Sequence, residues 1–271
     1  MINELINMFS YAFMQKALIV GLLLSLCASL LGVSLVLRKN SMIGDGLSHV
    51  GFGALAVATV LGCEPLLFTI PIVIVVSFLI LKLNTNSKIH GDSAIALMSA
   101  SALAIGVMAI SVTNGINTDI NSYLFGSILS QTTGDVILTI GLSIVVITLY
   151  IVCYNRIFAI TFDETFAKST GVKTDFYNII LAVLCSITIV LGMRMMGALL
   201  ISSLIIFPTL SSMQLYKNFK AVVISSVIVS CICFFLGLCI SFFYSTPTGA
   251  SIVIVNLIVL ISFRIVSALK I

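Results

Sequence analysis

Asp45 and His49 stand four residues apart in the segment Met42-Ile43-Gly44-Asp45-Gly46-Leu47-Ser48-His49-Val50-Gly51-Phe52-Gly53. On a helix that spacing stacks the carboxylate and the imidazole on one face. Gly53 continues the stripe and would leave space beside the pair. Carboxylate oxygen with imidazole nitrogen is a donor set for a borderline divalent transition metal, and a poor one for an anion or a sugar. One helix supplies two ligands where a closed tetrahedral zinc site takes four. Two copies of the helix facing each other across a twofold axis would supply two aspartates and two histidines. The competing reading makes Asp45 a helix cap near a membrane surface and His49 a packed, hydrogen-bonded residue. Against it, His49 is the one histidine inside an apolar run.

A second segment, Phe162-Asp163-Glu164-Thr165-Phe166-Ala167-Lys168-Ser169-Thr170-Gly171-Val172, reads as a short amphipathic helix. Phe162 and Phe166 share a face, and the acids sit at its start, where the helix dipole favours them. Gly171 is placed to end it, as a glycine just past a helix commonly does. A loop that only joins two spans needs no such helix. Presented to the cytoplasm, it points to docking in a partner's groove; a helix resting on lipid is the alternative.

The elements that must position these residues follow from composition. The chain has 271 residues, 60% of them apolar and 8% charged, against about 25% charged in a soluble domain. That is too little polar surface for a soluble enzyme or a nucleic-acid binder, and too much hydrophobicity for disorder. The expected fold class is all-α: a polytopic integral membrane protein, multi-pass in the cytoplasmic (inner) membrane. About 20 helical residues cross the hydrocarbon core. Apolar runs of that order lie near 17–37, 43–62, 66–81, 93–113, 134–153, 177–193, 196–213, 221–243 and 250–268. The sixth and seventh are nearly continuous, so the count is eight or nine transmembrane helices. The whole of 1–271 reads as a single transmembrane domain.

Basic residues set the orientation. With the amino terminus outside, the inner face receives Arg38, Lys39, Lys82, Lys88, Arg156, Lys168, Lys173, Lys217, Lys220 and Lys270, and the outer face only Lys16 and Arg194. Within residues 1–16, Ile2, Leu5, Ile6, Phe9 and Phe13 recur at helical spacing, which predicts an interfacial helix. A signal peptide fits less well, because no basic region precedes the apolar stretch. The outer connection from Thr113 to Thr133 holds a short apolar patch, Tyr123 to Leu129, too short to span. The inner connection, 154–176, carries the amphipathic segment. The seven cysteines lie mostly within apolar runs and show no disulfide framework. Pro208, deep in a span, predicts a kink.

Taken together, these motifs resemble those of the permeases of metal-type ABC importers, the zinc, manganese and iron uptake group. Gly44-Asp45-Gly46-Leu47-Ser48-His49 is similar to the group's G-D-x-x-S-H signature. Tyr123-Leu124-Phe125-Gly126, Asp163-Glu164 through Gly171, Gly197-Ala198-Leu199-Leu200 through Phe207-Pro208, and Thr246-Pro247-Thr248-Gly249 follow in the expected order. The likeness runs from about residue 13 to 265. It implies a homodimer in the lipid bilayer, with two ATP-binding subunits at the cytoplasmic face, an extracellular or periplasmic metal-binding protein above, and no nucleic acid. It implies that Asp45 and His49 coordinate the transported metal, with zinc expected first and manganese or iron second. It also implies that Phe162, Asp163, Glu164, Phe166, Ala167 and Gly171 couple the chain to the ATPase. No catalytic residue and no permanently bound cofactor is expected, and ATP is used by the partner subunit. The chain has no phosphate-binding loop, because Gly171-Val172-Lys173-Thr174 lacks the glycine five residues earlier.

Two other classes fit the residues less well. A gradient-driven transporter or channel expects ionisable residues deep in several spans, but Asp92, Asp119, Asp135 and Asp175 fall at span ends or in loops. An intramembrane hydrolase needs converging partners that Asp45 lacks in its own chain.

Overall fold

The computed structural model describes residues 9–86, 91–113, 126 and 131–269, without the side chains of residues 81–86. The helices are α1 (Ala12–Leu37), α2 (Ile43–Val60), α3 (Pro65–Asn86), α4 (Gly91–Val112), α5 (Thr133–Val152), α6 (Tyr154–Phe162), α7 (Glu164–Ser169), α8 (Thr174–Met196), α9 (Ala198–Leu215), α10 (Phe219–Tyr244) and α11 (Thr248–Leu269). No strand occurs among the described residues. Eight of these helices are long and apolar enough to cross a bilayer; α3 adds a shorter apolar run, Pro65–Ile80. Helices are the natural solution here because each satisfies its own backbone hydrogen bonds where no water is present.

Every expected span therefore finds a helix, and the nearly continuous pair resolves into two. Gly197 separates α8 from α9 with φ 91° and ψ 154°, a conformation that a side chain disfavours. The chain reverses within that residue: Asn178 near the start of α8 meets Arg38, whereas Arg194 near its end lies 3.9 Å from Asp135 at the opposite end of the bundle.

One boundary differs from expectation. The helix of the first span begins at Ala12 rather than near 17, so residues 12–16 are continuous with it. Lys16 can sit inside a span because its Nζ donates to Thr133 Oγ1 at 3.1 Å, leaving its aliphatic stem along the bundle. Phe9 stacks on Phe235 of α10, with ring centroids 6.2 Å apart, so it packs on protein. The rest of the interfacial expectation, residues 1–8, lies outside the described residues, as does most of the apolar patch 123–129.

Most residues of α1, α2, α8 and α9 are buried, whereas α4, α5 and α11 bury few of theirs. The outward faces carry Leu97, Met108, Ile144 and Ile258, side chains suited to lipid. At the centre, Gly32 of α1 lies against the backbone of Ile205 in α9, where a Cβ would meet the Ile205 carbonyl oxygen at 2.2 Å. Small residues are what allow membrane helices to approach this closely. α9 continues as a helix through Pro208, and all seven cysteines are free thiols.

Candidate functional site

Asp45 lies in the first turn of α2, where the helix dipole favours a carboxylate. From Ile43 to Ala56 the helix is buried at every position except Asp45 and His49. Their side chains are 44% and 25% exposed. They thus occupy the one open strip over the first fourteen residues of α2. His49 Nε2 stands 3.7 Å from Asp45 Oδ2, too far for a hydrogen bond. Two ligands at about 2.1 Å from a tetrahedral ion lie about 3.4 Å apart, so a closure of a few tenths of an ångström lets one ion touch both.

The capping reading of Asp45 does not fit this geometry. The α2 N-cap, Met42, makes no side-chain hydrogen bond. Nor is His49 a satisfied core histidine, because its Nδ1 is buried with no hydrogen-bond partner among the described residues. No third Asp, Glu, His or Cys joins the pair among the described residues. A single chain therefore brings two candidate ligands together here and no more.

Gly53 does not leave space in the expected way. A Cβ there would meet the Ala102 carbonyl oxygen at 2.3 Å, so the gap is filled by the backbone of α4. Beside this crossing lies an apolar cavity of about 330 Å³ between α2, α3 and α4, bordered by Val50, Phe68, Ile72 and Met98. Neither Asp45 nor His49 lines it.

The inner connection folds as two helices rather than one. Asp163 has an extended backbone and caps α7, its Oδ1 accepting the Phe166 amide at 2.8 Å. Phe162 consequently ends α6 instead of opening the next helix. Its ring packs on Phe158, 5.0 Å away between centroids, and on Phe219. The expected stop at Gly171 is present: its φ is +84°, its amide donates to the Lys168 carbonyl, and the Val172 amide to the Ala167 carbonyl. That pair of bonds is the Schellman closure, and Ala167 and Val172 are buried together beneath it. Phe166 points away from the bundle at 65% exposed, with Phe162 at 58%.

Three features escaped the sequence. Glu164 is not left for a partner alone, since both of its oxygens are engaged by Arg38 and Asn178. In the sequence Arg38 counts only among the basic residues of the inner face, and nothing marks Asn178. Gly126, from the outer patch, has φ +70° and presses on the α8–α9 break, where a Cβ would meet the Met196 carbonyl carbon at 2.1 Å. Two motifs that are 71 residues apart in the chain (Gly126 and Gly197) thus form one contact.

Comparison with known proteins agrees with this architecture. The family model described as ABC 3 transport family matches residues 10–267. The chain is 31% identical to the manganese import system permease protein ScaB of Streptococcus gordonii, covering 98% of this chain and 96% of that one. It is 30% identical to the high-affinity zinc uptake system membrane protein ZnuB of Haemophilus influenzae, over 88% of this chain and 91% of that one. Among solved structures, PsaBC from Streptococcus pneumoniae in complex with Fab superposes with a TM-score of 0.85 at 29% identity, covering 98% of this chain and 95% of that one. The open Asp–His strip, the bundle of apolar helices and the capped inner helix therefore sit in a chain that belongs to the ABC 3 transport family.

Proposed function

We propose that this chain is the membrane permease of an ATP-driven importer of a divalent transition metal, working as a homodimer with two ATP-binding subunits and an external metal-binding protein. The observation that carries the reading is the Asp45–His49 pair, the only unburied positions between Ile43 and Ala56 of α2. Two such strips facing each other supply four ligands where an ion has to pass. The exposure of Asp45 keeps the site weak enough to release its cargo, because water completes the shell until the second protomer does.

In this mechanism Phe162 and Phe166 enter a groove on the ATPase, Asp163 and Gly171 fix the two ends of α7, and buried Ala167 holds it against the bundle. Alternating access then moves the ion along the seam between protomers. The cargo is zinc on the motif likeness and manganese on the likeness to ScaB; ZnuB is named for zinc, and the donor set accepts either.

Reconstituted with its ATPase subunits, the wild-type complex takes up zinc or manganese in an ATP-dependent way, and competition between the two ions ranks them. Asp45→Ala and His49→Ala each abolish uptake while the complex still assembles. Normal uptake by both variants removes the pair from the pathway.

A further inference from the structure

Arg38, Glu164 and Asn178 close a ring of hydrogen bonds between three elements. Arg38 Nη2 meets Glu164 Oε2 at 2.5 Å. Arg38 Nη1 donates to Asn178 Oδ1 at 2.8 Å. Asn178 Nδ2 donates to the other Glu164 oxygen, also at 2.8 Å. Glu164 is the first residue of α7, Asn178 belongs to the second turn of α8, and Arg38 is the C-cap of α1. Removing any one of them breaks two of the three contacts. The guanidinium suits this role because its planar fork engages a carboxylate and an amide at once.

The connection from Arg38 to the metal pair is short and closely turned. Lys39 takes a left-handed turn at φ +59°. Its amide donates to the Val36 carbonyl, and the Asn40 amide to the Leu35 carbonyl. The Ile43 amide then donates to the Asn40 carbonyl as α2 begins, and Asp45 is in that first turn. The segment between the guanidinium and the carboxylate therefore holds no slack loop. Glu164 is equally close to the exposed docking face, two residues before Phe166.

We infer that Arg38, Glu164 and Asn178 are positioning residues that carry displacement of α7 into the first turn of α2, and so set the Asp45–His49 geometry in step with ATP hydrolysis. The inference rests on the permease reading above and adds the route by which the two ends communicate. Arg38 touches neither the ion nor the ATPase; it acts through the turn that follows it.

The test is the amount of zinc or manganese moved per ATP hydrolysed by the reconstituted complex, both measured in the same vesicles. A purely structural role lowers the yield of complex and leaves this ratio at the wild-type value. Arg38→Gln and Asn178→Ala are expected to lower it by about tenfold, within the coupling that residues sharing one network show. Arg38→Lys keeps the charge without the fork and falls between wild type and Arg38→Gln. Combining Arg38→Gln with Glu164→Gln adds little to the worse single variant. Unchanged ratios in Arg38→Gln and Asn178→Ala, beside a wild-type complex that transports, overturn the inference alone. A wild-type complex that moves no metal under ATP overturns the permease reading and the inference with it.

Discussion

Position 126 has no room for a side chain. Its φ of +70° is costly for any L-residue, and a methyl group would overlap the Met196–Gly197 backbone. Gly126→Ala therefore forces residue 126 off the α8–α9 break, with a loss of about 1–3 kcal/mol in the range of comparable backbone strain. A drop in thermal unfolding temperature of the detergent-purified chain measures it. Gly141 is the control, being mid-helix in α5 with nothing within 4 Å of a built Cβ. Gly141→Ala should hold or raise stability, by up to about 1 kcal/mol. At this scale the Asp45–His49 spacing was legible, since a period of four needs only the helix. The filling of Gly53's gap by Ala102 was not, because a glycine shows where a neighbour can come close without saying which one does.

The inner helices show how a correct element can carry a wrong boundary. Phe162 and Phe166 are four apart, so periodicity alone merges them into one helix. What separates them is local chemistry: the Asp163 carboxylate competes for the Phe166 amide and holds its own backbone extended, at φ −151°. Asp163→Ala should cost α7 about 1 kcal/mol, the usual value of an N-cap. Hydrogen exchange at the Phe166 and Ala167 amides would then speed up several-fold, and Asp163→Asn would largely preserve protection. Wild-type exchange in the alanine variant would mean that packing of Ala167, not the cap, holds the helix. The long apolar helices were legible for the opposite reason, since bilayer thickness demands so much hydrophobic length that composition alone reveals them.

For the molecule as a whole, the sequence distributed charges between two faces, and residues assigned to one face do meet there. Arg38 finds Glu164 at one end, while Lys16 finds Thr133 and Arg194 approaches Asp135 at the other. These pairings, spanning up to 126 positions, were not legible, because nothing local marks a long-range partner. Absolute sidedness can be read by thiol labelling. Cys63 is exposed in the connection between α2 and α3, whereas Cys27, Cys185 and Cys233 are buried. A membrane-impermeant maleimide applied to intact cells should label Cys63 and leave the three buried thiols unmodified. Labelling of Cys63 only after the cells are opened would invert the assigned orientation.

The reversal at Gly197 also bears on how the protein is made. Between α8 and α9 there is no hydrophilic loop to be drawn across the bilayer, only one residue turned back on itself. Thr174 to Leu215 is therefore suited to enter the bilayer as one apolar hairpin rather than as two separately translocated spans. A side chain at its tip would burden biogenesis before it ever touched transport.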